Sequence, residues 1–130
     1  MDIMLQKSDS FCSSANLLGE NLSSPSVHLA YYSVFILIKY VACHFLCISY
    51  EDQDDNKGQL SHKVIIDKVM DDIEVRDSNV WLDIIRRINS MKHLRAKADY
   101  KDETISSNAL TTHLTYAKEI LNYVKSLYGI

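Results

Sequence analysis

The chain has 130 residues, of which 47% are hydrophobic and 24% are charged. This length fits one domain with one core, from residue 1 to 130, and the composition excludes a disordered or fibrous chain. The formal net charge of −3 gives no reason to expect a nucleic-acid or membrane partner from overall charge, so any such partner must be recognised by a local cluster. Three Gly and one Pro predict few tight turns, which favours long helices.

The three cysteines, Cys12, Cys43 and Cys47, are odd in number and lack the spacing of a disulfide framework. Asp2 stands where a signal peptide would carry basic residues, so a cytoplasmic protein is predicted.

A helix cannot bring His44 onto the face that Cys43 and Cys47 share, so no metal site is expected there. The chain has no glycine-rich phosphate loop and no nucleophile elbow, and no cofactor is expected.

The first predicted helix is capped by Ser8, Asp9 or Ser10. Its apolar positions step by four, three and four residues: Phe11, Ala15, Leu18 and Leu22. A second helix is predicted to start with Pro25 as its first residue, after Ser23 or Ser24 as the cap. This second helix is apolar nearly all round, which places it at the centre of the bundle or in a subunit interface.

The apolar run from 31 to 48 approaches the length of a membrane span, but Lys39 and His44 interrupt it. A core or dimer helix is therefore predicted, and no membrane association. Because a five-helix monomer would struggle to cover such a helix, a homodimer is expected.

The segment 49–58 is acidic and without periodicity, and is interpreted as an exposed, mobile loop. A third helix is predicted from Ser61 to about Ile73. A fourth should run from about Val80 to Ala98, with caps offered by 77–79.

A final helix from about Ser106 to Tyr128 should end at Gly129. The elements predict an all-α, up-and-down antiparallel bundle of four long helices plus one shorter helix.

The fourth helix carries an arginine on its apolar stripe, which consists of Ile84, Ile88, Met91, Arg95 and Ala98. A guanidinium cannot shed its proton, so a buried Arg95 needs an anion or a cleft open to water, and Asp99 is its i+4 neighbour. The alternative to a functional role is that this ion pair only stabilises the end of the helix, or that Arg95 extends to the surface.

The same helix gathers positive charge at Arg86, Arg87, Lys92, Arg95 and Lys97, together with His93. Helical spacing puts Arg86, His93 and Lys97 on nearly one face, which could meet phosphates. A solvated basic face is the alternative.

His28 and His113 lie beside apolar positions and are interpreted as partly buried core residues, and His62 follows a candidate cap.

Three short motifs in order resemble the HEPN domain family: HLAYYSVFILIKYVAC at 28–43, SHK at 61–63 and LRAKADYKDE at 94–103. The resemblance covers about residues 10 to 128 and is greatest to small stand-alone members of the family. It implies a helical bundle that dimerises and, in active members, cleaves RNA without a metal by an arginine and a histidine spaced R-x(4–6)-H. It also implies a nucleotidyltransferase-like antitoxin as partner, which modifies a tyrosine near that motif.

The chain departs from the family pattern because Asp99 occupies the region where the histidine belongs, although Arg95 and Tyr100 are present. Arg87 and His93 have the literal spacing but lie about 240° apart on a helix. Arg95 is then the candidate for stabilising phosphorane charge, and His93 or His62 for taking the 2′-hydroxyl proton. Asp99 paired to Arg95 would be a poor base.

Three functions remain open from the sequence. The first is an RNA-targeting toxin or defence-type endoribonuclease with Arg95, His93 and Asp99 in its catalytic site, and Tyr100 as the modified tyrosine. The second is a non-catalytic module that binds RNA, a nucleotide or an antitoxin partner. The third is a purely structural dimerising bundle.

Overall fold

The computed structural model describes residues 2–54, 62–101 and 103–130. All regular elements in these ranges are helical, as predicted for an all-α bundle. The six α-helices, with a 3₁₀ turn at Gly19–Leu22 between the first two, are α1 Ile3–Leu18, α2 Ser23–Phe45, α3 Tyr50–Gln53, α4 His62–Arg76, α5 Trp81–Tyr100 and α6 Ser107–Tyr128.

Helices α1 and α2 form an antiparallel hairpin joined by two buried serines. The Ser8 hydroxyl donates to the Ser33 carbonyl and the Ser26 hydroxyl donates to the Ala15 carbonyl, each at 2.7 Å. Both donors are fully buried, so each hydroxyl needs this partner within the protein.

The long helix α2 lies at the centre of the bundle and packs against α1, α4, α5 and α6. Most of its side chains from Ser26 to Ala42 are buried within a single chain. The premise of the homodimer prediction is therefore wrong, because one monomer does cover this helix. The homodimer itself stays a prediction.

One helical stretch of the described residues, Ile3–Phe45, has the length and apolar composition of a membrane-crossing helix. Of its most apolar window, 67% is buried inside the bundle. Such burial is typical of a core helix.

Contacts along α2 fix the directions of its neighbours. Helix α5 is antiparallel to α2, since His28 pairs with Asp99 near the start of one and the end of the other. Helices α4 and α6 run in the same direction as α2. In α4, His62 stacks on Phe35 and Arg76 lies over Phe45. Three helix C-termini therefore meet at one end of the bundle, and the end of α5 lies at the other.

The start of the first helix was predicted six or more residues too late. Helix α1 begins at Ile3, because the Asp2 carboxylate accepts a hydrogen bond from the Met4 amide and caps it there. Helix α2 begins at Ser23, earlier than predicted, and neither Ser23 nor Ser24 caps it. Pro25 is then its third residue, where a missing N–H still costs no helical hydrogen bond.

The predicted loop at 49–58 is wrong in its first part. Ser49 caps the short helix α3 by accepting from the Asp52 amide, and Gln53 is buried. The side-chain amide of Gln53 donates to the backbone carbonyls of Lys39 and Ile48, and these bonds hold α3 against α2. The rest of that loop, and the predicted cap Ser61, lie outside the described residues.

Of the stripe predicted for the fourth helix, Ile84, Ile88 and Met91 are buried in the core. Val80 precedes α5 without a side-chain cap, so the caps predicted at 77–79 are wrong. The Asp77 carboxylate instead accepts from the Asn79 amide and the Tyr123 hydroxyl. Ser106 caps α6 and Gly129 ends it in the left-handed conformation, as predicted.

Candidate functional site

Arg95 points inward from α5, as its place on the apolar stripe predicts. Its side chain is 14% exposed. The guanidinium carbon lies 5.1 Å from the centre of the Tyr31 ring and 5.9 Å from those of Tyr32 and Tyr100. Three aromatic faces thus surround one permanent cation, an arrangement that ring quadrupoles stabilise.

Asp99 joins this arginine to a histidine of another helix. One Asp99 oxygen lies 3.5 Å from Arg95 Nη1, and the same oxygen lies 3.0 Å from His28 Nδ1. Arg95 and Asp99 meet because they are one turn apart on α5, whereas His28 comes from the antiparallel helix α2. The Asp99 side chain is only 18% exposed.

His28 was interpreted as a partly buried core residue. Its side chain is partly buried, at 45% exposed, but it pairs with Asp99 and is not part of the hydrophobic core. Its ring lies 4.6 Å from that of Tyr32, which orients it together with Asp99. No described residue bonds to its Nε2, so that nitrogen is accessible. The only local feature of the sequence that could have indicated a site role for His28 is its place one helical turn before Tyr32.

A second histidine adjoins the same aromatic side chains. His62 stacks on Phe35 at 4.0 Å between ring centres, and Tyr32 meets it edge-on at 6.1 Å. Burial lowers the pKa of His62 below its ordinary value, and the cations Arg95, Lys39 and Lys92 lower it further. His62 is therefore the neutral imidazole of this cluster at neutral pH.

Two buried polar atoms of this cluster have no hydrogen-bond partner among the described residues: the Tyr31 hydroxyl and Arg95 Nε. Burial raises the pKa of Tyr31, so its hydroxyl keeps its proton. Such atoms carry a free-energy cost that a bound polar group or water would relieve.

His93 does not belong to this cluster. It lies two residues before Arg95 on α5, about 200° around the helix, and lines a groove against α6. The sequence-predicted pair of Arg95 and His93 is not brought together within this chain, whereas Arg95, Asp99, Tyr100 and His62 are.

The basic face of α5 is partly neutralised by acids. Arg87 pairs with Asp83 at 3.0 Å and with Glu119, and its guanidinium lies over the Tyr116 ring. Lys97 pairs with Glu103 at 3.2 Å. Arg86 is exposed without a described ion pair. On the face predicted to meet phosphates, which consists of Arg86, His93 and Lys97, only Lys97 has a described ion pair, and phosphate binding there stays a prediction.

The cluster of His28, Asp99 and Arg95, here named the triad cluster, combines three chemical capacities. An oriented imidazole can take or give a proton, and a cation can stabilise developing negative charge. The carboxylate holds both groups. Among residues 2–54, 62–101 and 103–130, no group of three or more His, Cys, Asp or Glu is placed to hold a metal ion.

Comparisons of this chain with models of known families, with curated proteins and with solved structures find no match.

Proposed function

We propose that this chain is a HEPN-type endoribonuclease, of the kind that acts as a toxin or in defence, in which the triad cluster replaces the usual arginine and histidine pair. The observation that carries the proposal is Asp99, which joins Arg95 to the accessible histidine His28. A histidine lost from the motif helix is in this way supplied by α2.

His28 is the general base in this proposal. If Nδ1 carries the proton and donates it to Asp99, then Nε2 is the free acceptor that can take the 2′-hydroxyl proton of RNA. The 2′-oxygen attacks phosphorus and the bond to the 5′-oxygen breaks. The products are a 2′,3′-cyclic phosphate and a 5′-hydroxyl, whose oxygen takes a proton from water.

Arg95 acts on the phosphate. Its charge stabilises the extra negative charge of the phosphorane, and its surrounding rings exclude water, which strengthens that interaction. The metal-independent reaction that the resemblance implies requires these two groups and no others.

The rings beside Arg95 favour a single-stranded substrate. Tyr100 is 75% exposed and lies at the end of α5, where an unpaired base could stack on it. The Tyr32 ring is tilted against that of His28, with 4.6 Å between the ring centres, and is partly buried. Base stacking on such rings is sequence-tolerant, so we propose single-stranded RNA as the substrate class.

The exposed residue Tyr100 also fits the modification that the resemblance implies. A nucleotidyl group attached there would lie beside Arg95 and obstruct access to it. An antitoxin of the nucleotidyltransferase type is the partner proposed for this step.

One observation favours a second candidate, a non-catalytic module that binds RNA or a partner. The Arg95 guanidinium is mostly covered and already paired with Asp99, so a phosphate must compete with a carboxylate for it. In that case the cluster would only stabilise the packing of α2 against α5.

Cleavage of a single-stranded RNA by purified protein in the presence of a chelator tests the proposal, with growth arrest on overexpression as a second readout. Arg95→Ala should reduce cleavage on the order of 10²–10³-fold and relieve the arrest. Lys68→Ala, an exposed cation of α4, is the matched control. Wild-type protein that binds RNA without cleaving it supports the second candidate, and protein that neither cleaves nor binds RNA rules out both RNA functions.

A further inference from the structure

The most buried of the ion-paired arginines in the described ranges has the longest ion pair. Arg95 lies 3.5 Å from Asp99. The ion pairs of Arg76 and Arg87 include contacts of 2.7 and 3.0 Å, although both side chains are more exposed. A covered charge that is incompletely paired costs more free energy than an exposed one. The weak pairing of this covered cation therefore points to a further anion in the working site.

Asp99 is turned toward His28 instead. Both of its carboxylate oxygens lie near His28 Nδ1, at 3.0 and 3.2 Å. The distance of 3.5 Å to Arg95 Nη1 exceeds that of an ordinary N–H···O hydrogen bond. Since a guanidinium carries several N–H groups, Arg95 keeps donor capacity that Asp99 does not use.

Two buried donors next to this cation have no partner among the described residues. They are Arg95 Nε and the hydroxyl of Tyr31, a residue that is 2% exposed. The Tyr31 ring centre lies 5.1 Å from the guanidinium carbon. Burial raises the pKa of Tyr31 and the charge of Arg95 opposes this rise, so the hydroxyl is within electrostatic reach of the cation. Two unused donors beside a positive charge fit an oxygen that carries negative charge.

Tyr100 leaves a way toward these donors. It is the last residue of α5, is 75% exposed, and its ring centre lies 5.9 Å from the guanidinium carbon. Exposed side chains change rotamer rapidly, so this ring can swing away from Arg95 without any change in the core. An incoming phosphate can therefore approach the guanidinium from the end of α5.

We propose that the Tyr31 hydroxyl and Arg95 Nε, here named the oxyanion pocket, bind one non-bridging oxygen of the RNA phosphodiester. The reaction needs only His28 and Arg95, and Tyr31 adds a second donor to the oxygen that becomes more negative in the phosphorane. The inference rests on the proposed function, which supplies the phosphodiester. In the free protein the unpaired donors cost stability, and the bound oxygen recovers this cost.

Tyr31→Phe tests the pocket, because it removes the hydroxyl and keeps the ring beside Arg95. Cleavage of single-stranded RNA should slow on the order of 10²–10³-fold, the usual effect of losing one such donor. The urea midpoint should stay the same or rise, because an unpaired buried hydroxyl is removed. Slower cleavage together with a lower midpoint would show that the hydroxyl is structural and would overturn the inference.

Tyr50→Phe is the matched control. The Tyr50 hydroxyl is also buried without a described partner, but the Tyr50 ring lies beside His44, at the end of α2 that is far from Arg95. Its removal should leave cleavage unchanged. Equal slowing in Tyr31→Phe and Tyr50→Phe would overturn the pocket, since the loss of any buried tyrosine hydroxyl would then be enough.

Phosphorothioate RNA tests which atom the pocket contacts. Sulfur is a poor hydrogen-bond acceptor, so sulfur in place of the bound oxygen should slow the wild type on the order of tenfold for one of the two diastereomers. The same sulfur should slow Tyr31→Phe much less. A chelator is present throughout, so no metal ion contributes to the difference. Equal effects of sulfur on the two proteins would overturn the inference.

The outcomes separate this inference from the proposed function. If Tyr31→Phe cleaves RNA as fast as the wild type does, the pocket is wrong and the ribonuclease stands. If the wild type does not cleave RNA, the ribonuclease is wrong, and fluorescence anisotropy with a labelled single-stranded RNA decides on the pocket. Binding that is severalfold weaker in Tyr31→Phe and unchanged in Tyr50→Phe would support the pocket, whereas equal binding or none would overturn it.

Discussion

His28 Nδ1 lies 3.0 Å from the Asp99 carboxylate, although the two residues are 71 positions apart in the chain. The contact connects the first turns of α2 to the last turn of α5. Because Arg95 shares the same carboxylate, Asp99 holds both the proposed base, His28, and the proposed phosphate-binding group, Arg95.

The first prediction concerns the identity of the base. His28→Ala should reduce RNA cleavage on the order of 10²–10⁴-fold, the usual worth of general base catalysis. His44→Ala is the control, since His44 is also half-exposed and also pairs with an aspartate, Asp2, at the other end of the bundle. Cleavage rates at saturating RNA check this, and equal losses in both variants would contradict a specific role for His28.

The second prediction separates the folding role of Arg95 from its chemical role. Arg95→Met keeps much of the packing against Tyr31 and removes the charge. The Arg95 and Asp99 side chains are only 14% and 18% exposed, so the lost ion pair is mostly covered, although Asp99 keeps His28 as a partner. The free energy of unfolding should therefore fall by about 2 kcal/mol. Cleavage should fall as in Arg95→Ala. Urea denaturation measures the first quantity, and a loss of several kcal/mol would show that Arg95 is chiefly structural.

The third prediction is a pH dependence of stability due to His113. Folding lowers the pKa of this residue below its ordinary value of 6.5. Below pH 6.5 the unfolded chain therefore binds more protons than the folded one, so the free energy of unfolding falls as the pH falls. Its contribution is fully present above that pH, and the slope is at most about 1.4 kcal/mol per pH unit for one proton.

Denaturation of wild type and His113→Gln between pH 7.5 and 5.5 checks this. The wild type should lose stability more steeply than the variant, whatever the cost of the substitution itself. A residual slope is expected in the variant, because the pKa of His62 is lowered too. Parallel pH profiles for the two proteins would be evidence against a neutral, buried His113.

The fourth prediction concerns the hairpin of α1 and α2. Ser8→Ala and Ser26→Ala each remove a buried hydroxyl donor to the facing helix and should cost about 1 kcal/mol. Ser10→Ala, at an exposed position of α1, should cost less than half as much. The double variant Ser8→Ala/Ser26→Ala should show the sum of the two losses if the bonds act independently, and chemical denaturation measures all four proteins.

The sequence by itself determined the later helices and their buried faces, but not the buried face of α1, where only Ala15 of the predicted stripe is buried. Residues such as Ile84, Ile88 and Met91 recur at the period of a helix, and a side chain at that period must lie on one face whatever the tertiary structure is. The same reasoning placed Arg95 inward and one turn from Asp99. Caps and loop boundaries were less well predicted, because Asp2 and Gln53 form contacts that depend on local geometry or on distant carbonyls.

Only the tertiary structure decided which residues share a site. Residues on different helices, such as His28 and Asp99, meet through the direction and rotation of whole helices, and no local spacing encodes these. His93 and Arg95 are separated by local geometry instead, since residues two apart on one helix point about 200° from each other, and they had been grouped because they are neighbours in the sequence. The tertiary structure also buries α2 within one chain, because four helices pack around it. Their faces together cover more of α2 than the apolar stripe of any single helix would.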